Sequence, residues 1–574
     1  MNSALFAKPG NVVGSLLVTD GEGMRKTRTI NNERGFVMIT TLALLFMFGI
    51  LGVSMIEKST DDMNVAGYQL RDTNALYAAE AAVDFAYAAF NAAIDSTNAP
   101  PNPLPSDSFD MERFHVVYDV NAVGGTTQRT LTTGSYAGLY GLVQDYDIWG
   151  FARSDATGVQ NSVRIRMERA LIPLFQFAIF YDDVLEFHPG PAMTISGRVH
   201  SNDDLYLDAL SGLQIASNLT AGGRVLHGKH PESGEANYNG PVDIKDNSGA
   251  YKSMKNADGT WLDNNDSDWM TDATTRWGGK VADSDHGMHS LKLPLEAGND
   301  PQNIINDASG GNSDSYEHKA NLKIINGTAY FKSGATWIDV TSTLTSTGVM
   351  TSKTFYDYRN DKTVSARDID ISKLNTSAYW PTNGIVYTMD TQSGSNLKAT
   401  RLVNGSTLKA GLTVVSENPV YTKGNFNSTS KKPAAIFADA YTVQSSNWSD
   451  SWTSSTNISS RTAANTTCNV SFITGNVPTD NGTMSGGTHN LPRFLENWSS
   501  KTFTWKGSMV QMWKSQYANK AWSDTDGTYN PPTRVWDFDT DLLDPNKLPP
   551  GTPMVNAVVK RGWSNTGGPI ADGN

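Results

Sequence analysis

The stretch FVMITTLALLFMFGILGVSMI, from Phe36 to Ile56, decides the fold of this chain, because it runs for 21 residues without a charge. About 20 helical residues are enough to cross the roughly 30 Å hydrocarbon core of a bilayer. Basic residues from Arg25 to Arg34 precede the stretch, and a mainly acidic cluster that begins at Glu57 follows it. Since basic flanks stay on the cytoplasmic side, the sequence predicts one membrane-spanning helix with most of the chain facing outward.

The residues around this stretch indicate how it begins and how it continues. A basic, polar leader stops at Gly35-Phe36, and no helix breaker follows the apolar run over residues 57–96. A secretory signal peptide would show small cleavage residues after the run, so we predict no cleavage there. Beyond the span, apolar residues recur every seven positions at Ile56, Met63, Leu70 and Tyr77. They predict one helix from Phe36 to about Ala93, on the order of 90 Å long, half in lipid and half packed on a globular head.

The leader, the Gly35-Phe36 junction and the apolar run together resemble type IV pilins and pseudopilins, whose prepilin peptidase cuts after that glycine. The continuation is similar to the N-terminal domain of PilX-type minor pilins. The matching elements are an acidic pair followed by Met63, Ala66 and Gly67, then Arg71-Asp72, then the run Ala78-Ala79-Glu80-Ala81-Ala82. The resemblance covers about residues 24 to 95. It implies cleavage between Gly35 and Phe36, and it implies as partners the prepilin peptidase, other pilins or pseudopilins and the pilus assembly platform of the bacterial inner membrane.

Two features depart from the family pattern. Most members carry glutamate at the fifth mature position, where this chain has Thr40, so the usual pairing with a neighbour's N-terminal amine is missing. The leader is also long if translation begins at Met1, whereas a start at Met24 would give the usual 12-residue leader MRKTRTINNERG. The alternative interpretation is an ordinary membrane anchor with a stalk helix, but such an anchor needs no glycine at the leader boundary.

The outward part has the signals of β structure. Alternating apolar and polar residues over 162–169 predict a strand that pairs with residues 146–153 in a small antiparallel sheet like a pilin head. From Phe175 onward, short apolar pairs between Gly, Asn and Asp turns predict a right-handed β-solenoid, with no fixed repeat length evident. Near the end of a polar insertion, Asn326-Gly327 predicts a two-residue hairpin turn. Several of these segments resemble large uncharacterised outward domains fused to PilX-type N-termini, which implies an architecture and no activity.

The predicted fold class is therefore mainly β with one long N-terminal transmembrane α-helix, a small antiparallel sheet and a β-solenoid-like head with an insertion. The predicted units are a prepilin leader (1–35), a transmembrane and amphipathic helix (36–95), a small antiparallel β region (96–172), a first solenoid part (173–245), an Asp/Asn/Gly-rich insertion with a hairpin (246–345), a second solenoid part (346–487) and an aromatic- and Pro-rich C-terminal cap (488–574).

Composition excludes several functions. The net charge is −12, from 46 Lys+Arg and 58 Asp+Glu, and no basic stripe is present, so we expect no nucleic-acid partner. The single cysteine, Cys468, cannot form an intrachain disulfide and is predicted to be a small buried hydrophobe. Tryptophans cluster in the C-terminal third, and they could either stack on sugars or form the core of the cap; the cluster contains Trp448, Trp452, Trp498, Trp505 and Trp513.

Candidate chemistry is sparse. Asp283, Asp285, His286 and His289 could hold a divalent ion, but they lack the general base of the H-E-x-x-H motif. The acidic strings 263–268 and 524–527 resemble calcium loops without a closing glutamate, and solvated turns are the default interpretation. No nucleophile elbow, phosphate loop or Cys/His pair is present, so we predict no enzyme, no cofactor and no metal.

These observations predict a non-enzymatic minor pilin or pseudopilin-like protein that acts in type IV pilus or type II secretion-like assembly, as a low-copy tip or initiation subunit. It would be a single-pass protein of the bacterial inner membrane with its C-terminal domain in the periplasm, and it would then reach the cell surface. The alternative is a membrane-anchored surface adhesin or carbohydrate-binding β-solenoid protein.

Overall fold

The computed structural model describes residues 33–233, 236–479, 484–488, 491–523 and 527–565. The chain divides into two units, residues 1–73 and residues 74–574. In its described part the first unit is a single helix, whereas the second is mostly β. The helices are Glu33–Thr97, Trp269–Trp277, Tyr316–Lys319, Thr341–Ser346 and Ile371–Thr376. The first of them is 65 residues long, and it begins and ends within four residues of the predicted bounds.

An antiparallel sheet of five strands receives the end of the long helix. The predicted pairing is confirmed, because Tyr146 lies opposite Met167 and Arg153 lies opposite Gln160. The sequence did not predict the fifth strand, which comes from the far end of the chain: Val555 lies opposite Ile172. In spatial order the strands are Ser106–Met111, Phe114–Thr130, Tyr140–Arg153, Gln160–Pro173 and Met554–Asn565.

The next part of the chain forms very short parallel strands at a constant offset. Ile179 pairs with Val199, which pairs with Leu219, so each strand lies 20 residues after its neighbour. The same offset joins Leu185 to Leu205, and it also joins the strands that begin at Met193 and Leu213. The sequence analysis predicts short strands without a fixed repeat length. The constant offset of 20 residues corrects that prediction. The strands of this part are Ile179–Tyr181, Leu185–Phe187, Met193–Ile195, Val199–Ser201, Leu205–Leu207, Leu213–Ile215, Leu219–Ala221 and Val225–His227.

One twelve-stranded sheet joins the two predicted solenoid parts. Its strands pair in parallel except for a terminal antiparallel meander, whose Asn326-Gly327 turn confirms the predicted hairpin, with Ile325 opposite Thr328. In spatial order it contains Val281–Ala282, Leu219–Ala221, Val199–Ser201, Ile179–Tyr181, Met509–Lys514, Ser471–Asn476, Ala434–Ala438, Leu412–Ser416, Ile385–Met389, Leu322–Ile325, Thr328–Ser333 and Thr336–Asp339.

The order of these strands gives an unexpected chain path. The chain enters at Ile179 in the middle of the sheet, moves to one end at Ala282, reappears at the other end at Leu322 and returns to the middle. There Met509 pairs in parallel with Ile179. Within 488–574, for which a cap is predicted, Met509–Lys514 lies inside the large sheet and Met554–Asn565 is a strand of the antiparallel sheet. The predicted insertion over 246–345 is likewise not wholly lateral, because it supplies strands to both ends of this sheet.

Besides the antiparallel sheet and the large sheet, the described residues form four further sheets. One of them has six strands, which are Met350–Asp357, Lys362–Asp370, Leu397–Val403, Val420–Lys423, Tyr441–Gln444 and Arg493–Phe494. The others contain, beyond strands already given, Val242–Lys245, Tyr251–Ser253, Thr466–Asn469, Thr502–Gly507 and Thr533–Phe538. One continuous apolar core includes Leu131, residues of the short parallel strands and Val559. Each three-residue strand adds its side chains to this shared core, which explains how such short strands can be stable.

Candidate assembly interface

The first described part of the long helix is apolar on every side. Its large hydrophobic side chains are exposed all around the helix rather than along one stripe, and they are Phe36, Val37, Met38, Ile39, Leu42, Leu44, Leu45, Phe46, Met47, Phe48, Ile50, Leu51, Val53, Met55 and Ile56. Among the described residues it is the one helix that is long and apolar enough to cross a membrane. The helix therefore fits single-pass anchoring, since water cannot be the solvent of such a surface.

The predicted processing site lies at the start of this helix. Residues 1–32 of the predicted leader, including the basic cluster and Met24, lie outside the described residues. Phe36 is 72% exposed, so its side chain makes no packing contact that a cut at its amino side would disrupt. Cleavage between Gly35 and Phe36 remains a prediction.

Thr40 is satisfied by its own helix. Its hydroxyl donates to the carbonyl oxygen of Phe36 at 3.0 Å and lies equally close to that of Val37. Thr41 makes the same kind of bond to Val37. A hydroxyl that bonds back one turn needs no partner from a second molecule, whereas a carboxylate at this position would need a donor or a cation.

The second unit begins where the helix acquires a buried face. This face packs against the antiparallel sheet through Val83, Phe90 and four small side chains. The small side chains are Ala78, Ala79, Ala82 and Ala86. At Gly150, a Cβ would lie 2.7 Å from Val83 Cγ2 and would overlap the carbonyl oxygen of Ala79. The alanine run that resembles minor pilins therefore permits a close approach of helix and sheet, a role that helix propensity alone does not reveal.

The edge strand Met554–Asn565 also contacts the long helix and the residue that follows it. Lys560 Nζ is 2.8 Å from a carboxylate oxygen of Asp84 and 4.3 Å from the centre of the Tyr87 ring. Asn556 donates from its amide nitrogen to the carbonyl oxygen of Asn98 at 3.1 Å. No pattern near the C-terminus predicted these contacts.

The candidate metal ligands have structural roles. Asp283 is fully buried and accepts hydrogen bonds from the Trp269 indole at 2.7 Å and from the Asn264 amide at 2.9 Å. It also caps the turn that carries His286. Burial would raise the pKa of Asp283, but hydrogen bonds from His286, the Val225 backbone N–H and Trp269 outweigh it and lower the pKa. Asp263 accepts from the His227 backbone N–H at 2.9 Å. Over the described part of the chain, no three potential ligands come together; residues 524–526 lie outside that part.

The five tryptophans considered for sugar stacking lie mostly inside the protein. Trp448, Trp498, Trp505 and Trp513 are buried and Trp452 is half-buried. Trp498, Trp505 and Trp513 belong to the main apolar core, whereas Trp448 and Trp452 belong to a separate cluster on the six-stranded sheet. Cys468 is buried as predicted, and burial raises the pKa of its thiol to about 11.

Comparisons with known proteins complete this description. Neither a protein-family model nor a curated protein matches the sequence. Among solved structures, the competence-associated pilin ComZ from Thermus thermophilus matches with 9% sequence identity and a TM-score of 0.26, over 87% of this chain and 98% of that chain. A likeness of this size does not establish a shared fold.

Proposed function

We propose that this chain is a non-enzymatic, pilin-like subunit of a type IV pilus or type II secretion-like assembly. The observation that carries the proposal is the unbroken helix Glu33–Thr97. It begins two residues before the Gly35-Phe36 junction, is apolar on all sides over the span, and ends on an alanine face against an antiparallel sheet. A simple anchor requires only the span.

The proposed topology follows from the charges around the span. The basic leader stays in the cytoplasm, and prepilin peptidase cuts between Gly35 and Phe36 on that side of the inner membrane. The mature chain then has 539 of the 574 residues. Its partners in this proposal are the peptidase, other pilins or pseudopilins and the assembly platform.

The head supports a low copy number. We infer that residues 175–538 form a β-solenoid, which the constant 20-residue offset of the first strands and the parallel pairing across the large sheet support. A subunit with so large a head could not repeat at the close axial spacing of a major pilin. One or a few copies per filament would meet no such restriction.

Thr40 supports a place at the tip. In the family, glutamate at this position pairs with the N-terminal amine of a neighbouring subunit, which offsets its desolvation in the helix bundle. A subunit at the tip lacks that neighbour, and an unpaired carboxylate would only destabilise it. The hydroxyl of Thr40, bonded to Phe36, avoids this cost.

The experiment is deletion of the gene followed by counting and measuring filaments, with wild-type and Thr40→Ser complementation as matched controls. A tip or initiation subunit predicts fewer filaments of nearly normal length, and restoration by both complementing genes. Immunogold label against the head should lie at filament ends. Label spread uniformly along filaments contradicts the tip assignment.

A further inference from the structure

A surface loop crosses the six-stranded sheet on the face that points away from the main core. We call residues 445–464, between the strands Tyr441–Gln444 and Thr466–Asn469, the strap. Its ends meet, since Ala464 N–H donates to Ser445 Oγ at 3.0 Å. The buried Glu496 carboxylate holds the same point by accepting from both the N–H and the hydroxyl of Ser445, each at 2.7 Å. Loops with joined ends are compact surface units that frequently carry function.

Few contacts hold the middle of the strap on the sheet. Of residues 446–460, all of which the structure describes, only Trp448 is buried. Its ring lies 5.7 Å from that of Phe355 and 5.2 Å from that of Trp452, edge to face in both cases. Asp450 binds Arg401, and the Tyr358 hydroxyl donates to the carbonyl oxygen of Thr453 at 2.9 Å. A segment with so little buried apolar surface opens at a low free-energy cost relative to global unfolding.

Arg401 does not depend on the strap for a counter-ion. Its buried guanidinium binds two carboxylates, each by two nitrogen atoms: Asp368 at 2.9 and 2.9 Å, and Asp450 at 2.6 and 2.9 Å. Asp368 belongs to the sheet and Asp450 to the strap. When the strap leaves, Arg401 keeps a full partner and presents its other edge to solvent.

Two groups beside the Asp450-binding edge of Arg401 favour the binding of an acidic side chain there. Gln444 is fully buried: its side-chain oxygen accepts from Arg401 Nη1 at 3.4 Å, and its side-chain nitrogen has no acceptor within the described chain. Lys423, which lies opposite Gln444 in the parallel register, is close enough to Arg401 and Asp450 to interact electrostatically with both, and burial lowers its pKa. A buried amide donor without an acceptor points to a missing oxygen ligand.

We propose that the surface beneath the strap is a binding site for a peptide segment of another protein subunit, with an aromatic side chain two positions before an acidic one. Trp448-Ser449-Asp450 occupies this site from within the chain and keeps it closed. A partner segment of the same chemistry would displace the strap, place its ring beside Phe355 and its carboxylate on Arg401. The inference does not depend on the N-terminal processing or on the position in a filament.

The test uses the full-length protein in detergent with residues 446–460 replaced by a short Gly-Ser linker, which the joined ends allow. The probe is a synthetic peptide of residues 445–461. We expect the trimmed protein to bind it at least about tenfold more tightly than the wild-type protein does, because the wild-type site is already occupied. A peptide with Asp450→Asn should lose about tenfold or more in affinity, since a charge-assisted bidentate pair is lost. A peptide with Ser451→Ala, an exposed position, should bind unchanged.

Several outcomes would overturn the proposal: a trimmed protein with normal unfolding temperature that does not bind, equal binding of the Asp450→Asn peptide, or binding of a uronic acid oligosaccharide but not of the peptide. If the trimmed protein does not fold, the full-length Trp448→Ala/Asp450→Asn double variant replaces it. In that variant, hydrogen exchange should rise in residues 446–460 alone and the wild-type peptide should bind. Unchanged exchange in the strap, or no binding, rejects the site.

Discussion

Gly150 lies directly against the backbone of Ala79, so closely that a Cβ at Gly150 would overlap the Ala79 carbonyl oxygen. This contact fixes how near the long helix comes to the antiparallel sheet. Neighbouring helix positions are equally small: a Cβ at Gly150 would lie 3.2 Å from that of Ala82. Within the second unit, the last turns of the helix and the sheet are thus held together by close backbone packing, which larger residues would prevent.

Gly150→Leu should therefore destabilise the second unit by about 2 kcal/mol or more, because the backbone of the helix must move to admit the side chain. Gly125→Leu is the matched control in the same sheet, since nothing lies within 4 Å of a Cβ there. Thermal unfolding of the full-length protein in detergent measures both. Equal unfolding temperatures for the two variants would contradict the close packing.

Leu207 and Leu210 provide a second matched pair. Leu207 is fully buried between Phe187 and His227 of the neighbouring strands, whereas Leu210 is 56% exposed in the next turn. Leu207→Asp should cost on the order of 3–5 kcal/mol, because it places an unpaired charge in the shared core. Leu210→Asp should change the free energy of unfolding by less than about 0.5 kcal/mol. Chemical denaturation measures the free energy of unfolding of both variants. A small change for Leu207→Asp would contradict the shared apolar core.

Glu496 predicts a pH dependence of stability. Burial raises its pKa from 4.5 to about 7, although Ser445 hydrogen bonds and the charges of Lys423 and Arg461 oppose the shift. Since the folded state holds this proton more tightly than the unfolded state, its contribution to stability is complete below about pH 4.5 and is lost as the pH rises through about 7.

Glu496→Gln should flatten the stability profile between about pH 5 and 7, where one coupled proton changes the free energy of unfolding by at most about 1.4 kcal/mol per pH unit. Urea denaturation over this range gives the difference between variant and wild type. Glu296→Gln, at an exposed position, is the control and should leave the profile unchanged. A variant at Glu496 with the wild-type slope would show that this carboxyl does not titrate there.

The sequence reveals elements whose residues interact locally. The span from Phe36, the pairing of residues 146–153 with 162–169 and the Asn326-Gly327 turn all depend on neighbours in the chain, and periodicity and turn chemistry predict them. The 20-residue offset was also present in the spacing of Leu185, Leu205 and Val225. Comparing apolar pairs at equal intervals would have found it.

Other features depend on residues that are far apart in the chain. Met509 pairs with Ile179, and Val555 pairs with Ile172, although nothing in either strand specifies a partner several hundred positions away. A three-residue strand such as Ile179–Tyr181 carries too few side chains to single out one distant partner. The packing of Gly150 against the helix could not be predicted either. A glycine within a strand indicates that something approaches closely, but it does not identify the approaching group.

The mass of the mature N-terminus tests the central claim most directly. The protein is purified from membranes of its native host, and its N-terminal peptide is analysed by mass spectrometry, with Gly35→Ala as the comparison. The account predicts a wild-type chain that begins with an N-methylated Phe36 and has lost residues 1–35, and a Gly35→Ala chain that keeps its leader. An uncleaved wild-type leader, or identical processing of both chains, would contradict the pilin-like assignment and leave a simple membrane anchor.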